Sequence, residues 1–145
     1  MLSKKAKYAL KALIVLAQKT DNTAATNEEI AQLAGIPKKF CEAILLDLKK
    51  NGMLHSRRGR SGGYVLREHP SKLTVADVIR IMDGPLALTT CTRRVGYVPC
   101  EECHNPETCE VRMIMKRVRD ATVEILEGIS IQDAVDQPKV WFPLI

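Results

Sequence analysis

The sequence predicts a mainly α fold in which a winged helix-turn-helix precedes a long C-terminal helix. Two short helical patterns flank a Gly and a Pro at 35–37, a glycine-rich basic hairpin follows at 58–63, and a three-four apolar stripe occupies 108–127. The chain has 145 residues, 46% of them hydrophobic and 27% charged. This length and composition exclude global disorder and a large multidomain enzyme.

The first helix is predicted to run from Ser3, which can cap it, to about Lys19. Apolar residues recur along this segment at the spacing of one helical face. Thr26 and Glu29 have the spacing of a capping box, in which hydroxyl and carboxylate each accept the other's terminal amide. A short second helix over 27–34 is expected to follow them.

The third helix is predicted over 37–50, immediately after a tight turn. Gly35 suits the left-handed residue that ends a helix, and Pro37 suits the first turn of the next one. Cys41 is interpreted as a small buried hydrophobe. The residues expected to point inward are Phe40, Ile44, Leu45 and Leu48.

Two short strands are predicted after these helices, Met53–Arg57 and Tyr64–Arg67. The segment 58–63 between them reads RGRSGG, and its glycines permit a sharp reversal. A basic hairpin directly after a helix-turn-helix is typical of a wing.

The second half of the chain begins, in this interpretation, at His69-Pro70-Ser71, which divides a domain over 1–70 from a region over 71–145. A helix is predicted over Val75–Met82, no regular period over 86–107, and a long helix over 108–127. Its apolar stripe is expected to pack on another helix. The stripe consists of Val111, Ile114, Val118, Ala121 and Ile125. Ser130 can cap one last turn, and 138–145 is a tail in which Trp141 and Phe142 would need burial.

The excess of positive charge is confined to the first half of the chain. Residues 1–72 contain 14 Lys and Arg against 6 Asp and Glu, a net of +8, whereas 73–145 contain 8 against 11, a net of −3. This asymmetry indicates a polyanion as the partner of the first half, or else a basic solvated surface.

Double-stranded DNA is the polyanion that the helix-turn-helix predicts. The second helix of this motif enters the major groove with its N-terminal residues at the base edges, and an arginine-bearing wing can reach the adjacent minor groove. A solvated helix start is the alternative for the lysines, but it does not account for the arginine hairpin. The candidate DNA-binding residues are Lys38, Lys39, Glu42, Arg57, Arg58, Arg60, Ser61 and Tyr64.

Four of the five cysteines, Cys91, Cys100, Cys103 and Cys109, lie within nineteen residues. We expect a cytoplasmic protein without a signal peptide or membrane segment, and clustered thiols in a reducing compartment typically bind metal or sense redox state. An iron-sulfur cluster and a four-cysteine zinc site fit this ligand set equally well. A thiol-disulfide switch between Cys100 and Cys103 is less favoured, because His104 is the only neighbouring group that could carry positive charge.

Several segments resemble the family of the iron-sulfur cluster regulator IscR and its relatives NsrR, RirA and CymR. They are LSKKAKYAL at 2–10, EIA at 29–31, GIP at 35–37, LKKNG at 48–52, RGRSGGY at 58–64, LTVADVI at 73–79 and GPL at 84–86. The resemblance covers most of the chain. It implies a dimeric winged-helix transcription factor, usually a repressor, in which the long C-terminal helix forms the dimer contact.

The resemblance also implies an iron-sulfur cluster, either 4Fe-4S or 2Fe-2S, in the cysteine segment. Cluster-bearing members have three cysteines there, the last two separated by five residues, and Cys91, Cys103 and Cys109 match that arrangement. Cys100 would then supply a fourth ligand. The chain departs from the family in its longer first gap and its additional cysteine, and Lys7 occupies a position where some relatives have an acidic ligand.

The function predicted on these grounds is transcriptional regulation by a homodimer that binds a pseudo-palindromic operator under control of the cluster. A cluster-free or zinc-stabilised repressor that responds to thiol oxidation or a metabolite is the alternative within the same class. A redox protein or a cluster assembly factor are alternatives from other classes, and neither would need the arginine wing.

Overall fold

A computed structural model describes residues 2–137, which fold into six α-helices and one antiparallel hairpin. The helices are α1 Lys4–Ala17, α2 Asn27–Ala34, α3 Lys38–Lys50, α4 Val75–Asp83, α5 Glu110–Glu127 and α6 Ile131–Asp136. The strands are β1 Leu54–Arg57 and β2 Gly63–Leu66. Each predicted helix and strand is present, with ends shifted by one or two residues. Over this range no helix is both long and apolar enough to cross a membrane.

Side-chain caps fix the starts of the first two helices. The Ser3 hydroxyl accepts a hydrogen bond from the Ala6 amide at 3.0 Å, and the Thr26 hydroxyl accepts one from the Glu29 amide at 3.2 Å. Only this half of the predicted Thr26–Glu29 capping box forms as expected. The Glu29 carboxylate instead pairs with Lys19 at the end of the first helix, because a full charge is a stronger partner for it than a backbone amide.

The turn between α2 and α3 follows the prediction at Gly35 and departs from it at Pro37. Gly35 has φ +64° and ψ +44°, the left-handed conformation expected after a helix. Pro37 has ψ +131° and therefore precedes the helix, whose first residue is Lys38.

One core holds the first half together, with α1 at its centre in contact with α2, α3, α4, α6 and β2. Ile44, Leu45 and Leu48 are buried as predicted, and so is Cys41. The prediction for Phe40 was wrong, since 61% of its surface is exposed. The buried stripe of α3 begins at Cys41, so Phe40 is rotated by about 100° from it and lies beside the Tyr8 ring.

Side chains from beyond residue 70 belong to the same core. Val78 and Met82 of α4 and Ile131 of α6 are buried with the residues of α1. The Ser130 hydroxyl and the Asp133 carboxylate form a complete capping box at the start of α6. The predicted division at residue 70 stays a prediction, and any relative motion of the two parts would have to preserve these contacts.

Helix α5 lies against this body by one side and leaves its other side uncovered. Val123 is its one buried residue within the described chain. The predicted stripe lies on the opposite side, where Ile114 is 56% and Ile125 61% exposed. Within residues 2–137, no helix therefore packs on the stripe. The predicted tail with Trp141 and Phe142 lies outside the described residues.

Candidate functional site

The predicted recognition residues lie at the exposed start of α3. Lys38, Lys39 and Glu42 are all solvent-accessible. Lys38 forms an ion pair with Glu28 of α2, with 3.3 Å between its Nζ and the carboxylate oxygen. Lys39 has no hydrogen-bond or ion-pair partner in the described part of the chain, so its charge is free for an external anion.

The outward face of α3 contains three further residues that sequence reasoning missed. Residues opposite the buried stripe follow a four-three-four spacing along the helix. They are Lys39, Ala43, Leu46 and Lys50, and all four are exposed. The sequence contained the signal for these residues, because the outward face of a helix is the face opposite its predicted buried stripe.

The wing presents its basic side chains to solvent. Arg57, Arg58, Arg60 and Ser61 are exposed at the end of β1 and in the turn that follows. Across residues 2–137 none of the three arginine side chains makes a hydrogen bond or ion pair. Uncommitted guanidinium groups on a projecting hairpin are suited to binding phosphate.

The backbone of the wing is paired to the segment before α2. Tyr64 and Ala25 exchange two backbone hydrogen bonds, of 2.8 and 3.0 Å. Gly63 permits this approach, because a Cβ there would lie 2.3 Å from the Ala25 carbonyl oxygen and φ is +145°. The glycine that the sequence places before Tyr64 is therefore a packing requirement as well as a turn residue.

Side chains also join the wing to α3. The Lys49 ammonium donates a hydrogen bond to the Ser56 hydroxyl at 2.7 Å. Burial raises the pKa of the Tyr64 phenol, and the negative charge of Glu42 raises it further. Tyr64 and Glu42, both predicted from sequence, are thus neighbours between the helix and the wing.

The four clustered thiols differ in exposure and in ionisation. Cys91 is buried, Cys103 and Cys109 are half-buried, and Cys100 is exposed. A hydrogen bond with the Thr89 hydroxyl, 3.5 Å from Cys91 Sγ, lowers the pKa of the Cys91 thiol. The pKa of Cys100 is raised, chiefly by its hydrogen bond to Cys91 and the Cys91 charge, with smaller contributions from Cys103 and Cys109. The charges of the other three thiols therefore all act on Cys100.

Four thiols are a donor set that either an iron-sulfur cluster or a zinc ion can use. Among the described residues, no three His, Cys, Asp or Glu side chains are close enough to hold a metal ion. A tetrahedral zinc ion requires four sulfurs about 2.3 Å from one point, whereas a cluster distributes its ligands over several iron atoms. His104, a further candidate ligand, is exposed.

Arg112 of α5 holds the cysteine loop, defined here as residues 86–109. Its Nε donates to the Cys91 carbonyl at 3.1 Å and its Nη1 to the Pro106 carbonyl at 3.0 Å. The guanidinium also lies over the Tyr97 ring, 5.9 Å from its centroid. One side chain of the long helix thus contacts the loop near its start, middle and end.

Arg119, two turns further along α5, makes a second attachment. Its guanidinium donates to the Thr92 carbonyl and to the Asp120 carboxylate, and only 10% of its side chain is exposed. Sequence reasoning missed Arg112 and Arg119, because an arginine on the polar side of a helix is not distinguishable from a solvated one until the path of the loop is known.

The family model described as "Rrf2: Iron-dependent Transcriptional regulator" matches residues 2–137. This match spans both the winged helix-turn-helix and the cysteine loop. The chain belongs to the Rrf2 family. Rrf2 proteins are transcriptional regulators, which agrees with the basic wing.

Relatives and solved structures agree with this assignment. An rrf2-like HTH-type transcriptional regulator of Rhodobacter capsulatus is 40% identical over 136 residues, which cover 92% of this chain and 91% of that protein. CymR of Bacillus subtilis is 30% identical over 132 residues, 91% of this chain and 87% of CymR. IscR of Photorhabdus laumondii is 28% identical over 139 residues, which cover 96% of this chain and 81% of IscR.

The fold of this Rrf2 protein matches the crystallised members. The structure of B. subtilis CymR, described as a global cysteine regulator, has a TM-score of 0.76 at 30% identity and covers 93% of this chain and 95% of CymR. The structure of IscR from T. potens has a TM-score of 0.72 at 24% identity, with coverage of 93% and 85%. The winged-helix fold and the mainly helical class are thereby confirmed.

Proposed function

We propose that this Rrf2 protein is a homodimeric repressor whose operator binding is controlled by an iron-sulfur cluster in the cysteine loop. The observation that carries the proposal is the attachment of that loop to α5 through Arg112 and Arg119. The same helix bears the exposed apolar stripe. A change in the loop can therefore reach the dimer contact directly.

The stripe on α5 supports a dimer formed by two copies of this helix. Its members are aliphatic, follow the three-four spacing and are largely exposed in the single chain. Two such stripes packed antiparallel or crossed would remove that surface from water around a two-fold axis. A two-fold dimer would place two recognition helices on a pseudo-palindromic operator.

DNA contact is assigned to two groups of side chains. Lys38, Lys39 and Glu42 would face the major groove, and Arg57, Arg58 and Arg60 would reach phosphates or the minor groove next to it. Ser61 at the wing tip can donate to a phosphate, and Tyr64 supports Glu42 from the wing. The absence of internal partners for Lys39 and the wing arginines supports this assignment.

The cluster would be held by Cys91, Cys103 and Cys109, with Cys100 as the fourth ligand. When bound it would supply a group whose integrity depends on iron supply, oxidants and nitric oxide. The chain's part is to position the thiols. Arg112 fixes the carbonyls of Cys91 and Pro106, Thr89 stabilises the Cys91 thiolate, and the Cys109 sulfur accepts the Arg112 amide at 3.5 Å. Loss of the ligated state would free the loop and alter the placement of α5.

Anaerobic purification followed by a visible spectrum and quantification of iron, sulfide and zinc tests the cluster. We expect a brown protein with iron and acid-labile sulfide in equal amounts per chain. A Cys103→Ser variant should lose both, whereas Cys41→Ala, which changes a buried core thiol far from the loop, should keep them. Colourless wild-type protein with about one zinc per chain would overturn the proposal.

The likeness to CymR supports a second candidate, a regulator without a cluster that responds to thiol chemistry. CymR matches this chain at 30% identity and is described as a cysteine regulator. In that case the Cys91–Cys100 pair would be the reactive site, with Cys91, whose pKa is lowered, supplying the thiolate and Cys100 exposed to the oxidant. Iron and sulfide would then be absent, and thiol oxidation alone would change DNA affinity.

A further inference from the structure

The outward face of α3 has an apolar centre between two basic ends. Lys39 lies at its start and Lys50 at its end, and the two residues between them on this face are Ala43 and Leu46. Leu46 is 42% exposed. Neither residue belongs to the core, whose α3 members lie on the other side of the helix.

The two sides of this face are already occupied by contacts within the chain. On one side Asp47 pairs with Lys5 of α1 at 2.7 Å, and Phe40 lies against Tyr8. On the other side Lys49 donates to Ser56 of the wing. The strip formed by Ala43 and Leu46 is the part of the helix that these neighbours leave open.

We infer that Ala43 and Leu46 contact thymine methyl groups in the major groove and thereby determine sequence preference. This inference rests on the proposed DNA-binding role of α3. Apolar side chains recognise the C5-methyl of thymine, the one hydrophobic group on the major-groove edges. The lysines at both ends fit phosphates on either side of the groove. Ala43 is also short, so it allows the helix backbone to approach the base edges closely.

The charge pattern favours this occupant over a protein partner. A protein-docking surface is normally much larger, whereas this strip is two residues long and lies between uncommitted basic groups of α3 and the arginine wing, with the exposed Glu42 beside it. The apolar pair and the basic groups together match a groove that is anionic at its rims and presents methyl groups on its floor.

Methyl deletion on the DNA tests the inference. A duplex would be selected from a random pool by the wild-type protein, and each thymine of one half-site would then be replaced by deoxyuridine, which removes the methyl and preserves base pairing. Dissociation constants would be measured by fluorescence anisotropy at one salt concentration. We expect at least one thymine per half-site at which the replacement weakens binding about fourfold, the effect of one buried methyl.

Protein variants assign that effect to residues. Ala43→Ser and Leu46→Gln should abolish the penalty for deoxyuridine at the contacted positions. Leu33→Gln, which changes an exposed leucine on α2, should leave the penalty in place. Circular dichroism of each variant confirms that the helices are retained.

Three results would overturn the inference while leaving the DNA-binding role intact. They are a selected half-site without thymine, tight binding that no deoxyuridine weakens, and a penalty that persists in both variants. Failure to select any duplex would overturn the proposed function and this inference together. The two failures are therefore distinguishable.

Discussion

The helix-turn-helix and the cysteine-loop arm, which consists of the loop and α5, differ in what covers their apolar side chains. In the first region α1, α2 and α3 bury their stripes against one another, and Leu13, Leu45 and Leu48 are almost inaccessible to water. In the arm, α5 has 18 residues of which Val123 is the buried one within the described chain. Ile114 and Ile125 are mostly exposed.

This difference indicates that the apolar side chains of the helix-turn-helix are covered by the chain itself, whereas those of the arm are covered by another molecule. Burial of aliphatic side chains is the main stabilising contribution in a domain, and the helix-turn-helix already has it. The arm replaces it with polar attachments, the hydrogen bonds of Arg112 and Arg119 to loop carbonyls. An element held this way is suited to change position when its ligand or its partner subunit changes.

The largest effect is expected from the core of the first region. Leu45→Ala should lower the free energy of unfolding by about 2–5 kcal/mol, because a fully buried leucine leaves a cavity. Urea unfolding at fixed protein concentration measures the change. The same substitution at Leu33, which is 62% exposed, should cost less than about 0.5 kcal/mol. Equal losses for the two variants would contradict the assignment of the core.

A charge in the stripe of α5 should separate the subunits without unfolding them. Ile114→Glu removes two apolar side chains from a two-fold contact, and we expect the dimer dissociation constant to rise by about 100-fold or more. Analytical ultracentrifugation measures this, and circular dichroism should show unchanged helix content. Lys116→Glu, on the other side of the same helix, should remain dimeric. A dimeric Ile114→Glu protein would place the contact elsewhere.

Removal of the loop attachment should weaken the cysteine site more than the fold. Arg112→Gln loses the paired donation to Cys91 and Pro106, and residues that orient ligands typically contribute 10–100-fold in affinity. We expect iron to be lost to a chelator about tenfold faster, with thermal unfolding of the first region unchanged. Arg117→Gln is the matched control, since Arg117 is exposed on the same helix and its side chain has no hydrogen-bond or ion-pair partner among the described residues. Equal rates for both variants would exclude Arg112 as a positioning residue.

The wing should contribute through charge. Arg60→Ala in a dimer removes two cationic groups, so the slope of log affinity against log salt should become shallower by about 2. The experiment is a salt titration of operator binding. Arg67→Ala, at the far end of the hairpin from its turn, is expected to change the slope less. An unchanged slope for Arg60→Ala would remove the wing tip from the interface.

The smallest effect concerns acid stability. The hydrogen bond from Lys5 holds the pKa of the Asp47 carboxyl below its ordinary value. A carboxyl with a lower pKa in the folded state stabilises the fold above its unfolded pKa and loses that contribution as pH falls through the folded one. At neutral pH the free energy of unfolding of the wild type should therefore exceed that of Asp47→Asn by less than about 1 kcal/mol. The difference should shrink as the pH falls below the ordinary carboxyl pKa of about 3.9.

The sequence was sufficient for the elements that depend on local signals. Ser3, Thr26, Gly35 and Ser130 begin or end helices as their chemistry requires. Phe40 was misplaced because a three-four pattern leaves the edge of a stripe undefined by one residue. The Glu29 carboxylate was misassigned because its partner, Lys19, lies ten residues earlier in the chain, just beyond the end of α1.

The residue types of the candidate sites could be predicted from the sequence, but the contacts between these residues could not. The cysteines and wing arginines stand out in the sequence by spacing and composition. The contacts of Arg112 with Cys91 and Pro106 join residues 21 and 6 positions apart, and no periodicity reports such a contact. The link from loop to helix, on which the regulatory proposal depends, could come only from the structure.

The central claim is that the state of the cysteine loop sets the affinity for DNA. The most direct test is the dissociation constant for one selected duplex, measured at one salt concentration with anaerobic protein carrying its iron and with the same protein after removal of iron by a chelator. We predict that the two affinities differ by about tenfold or more, which corresponds to an ordinary coupling free energy between two sites. Equal affinities would contradict it.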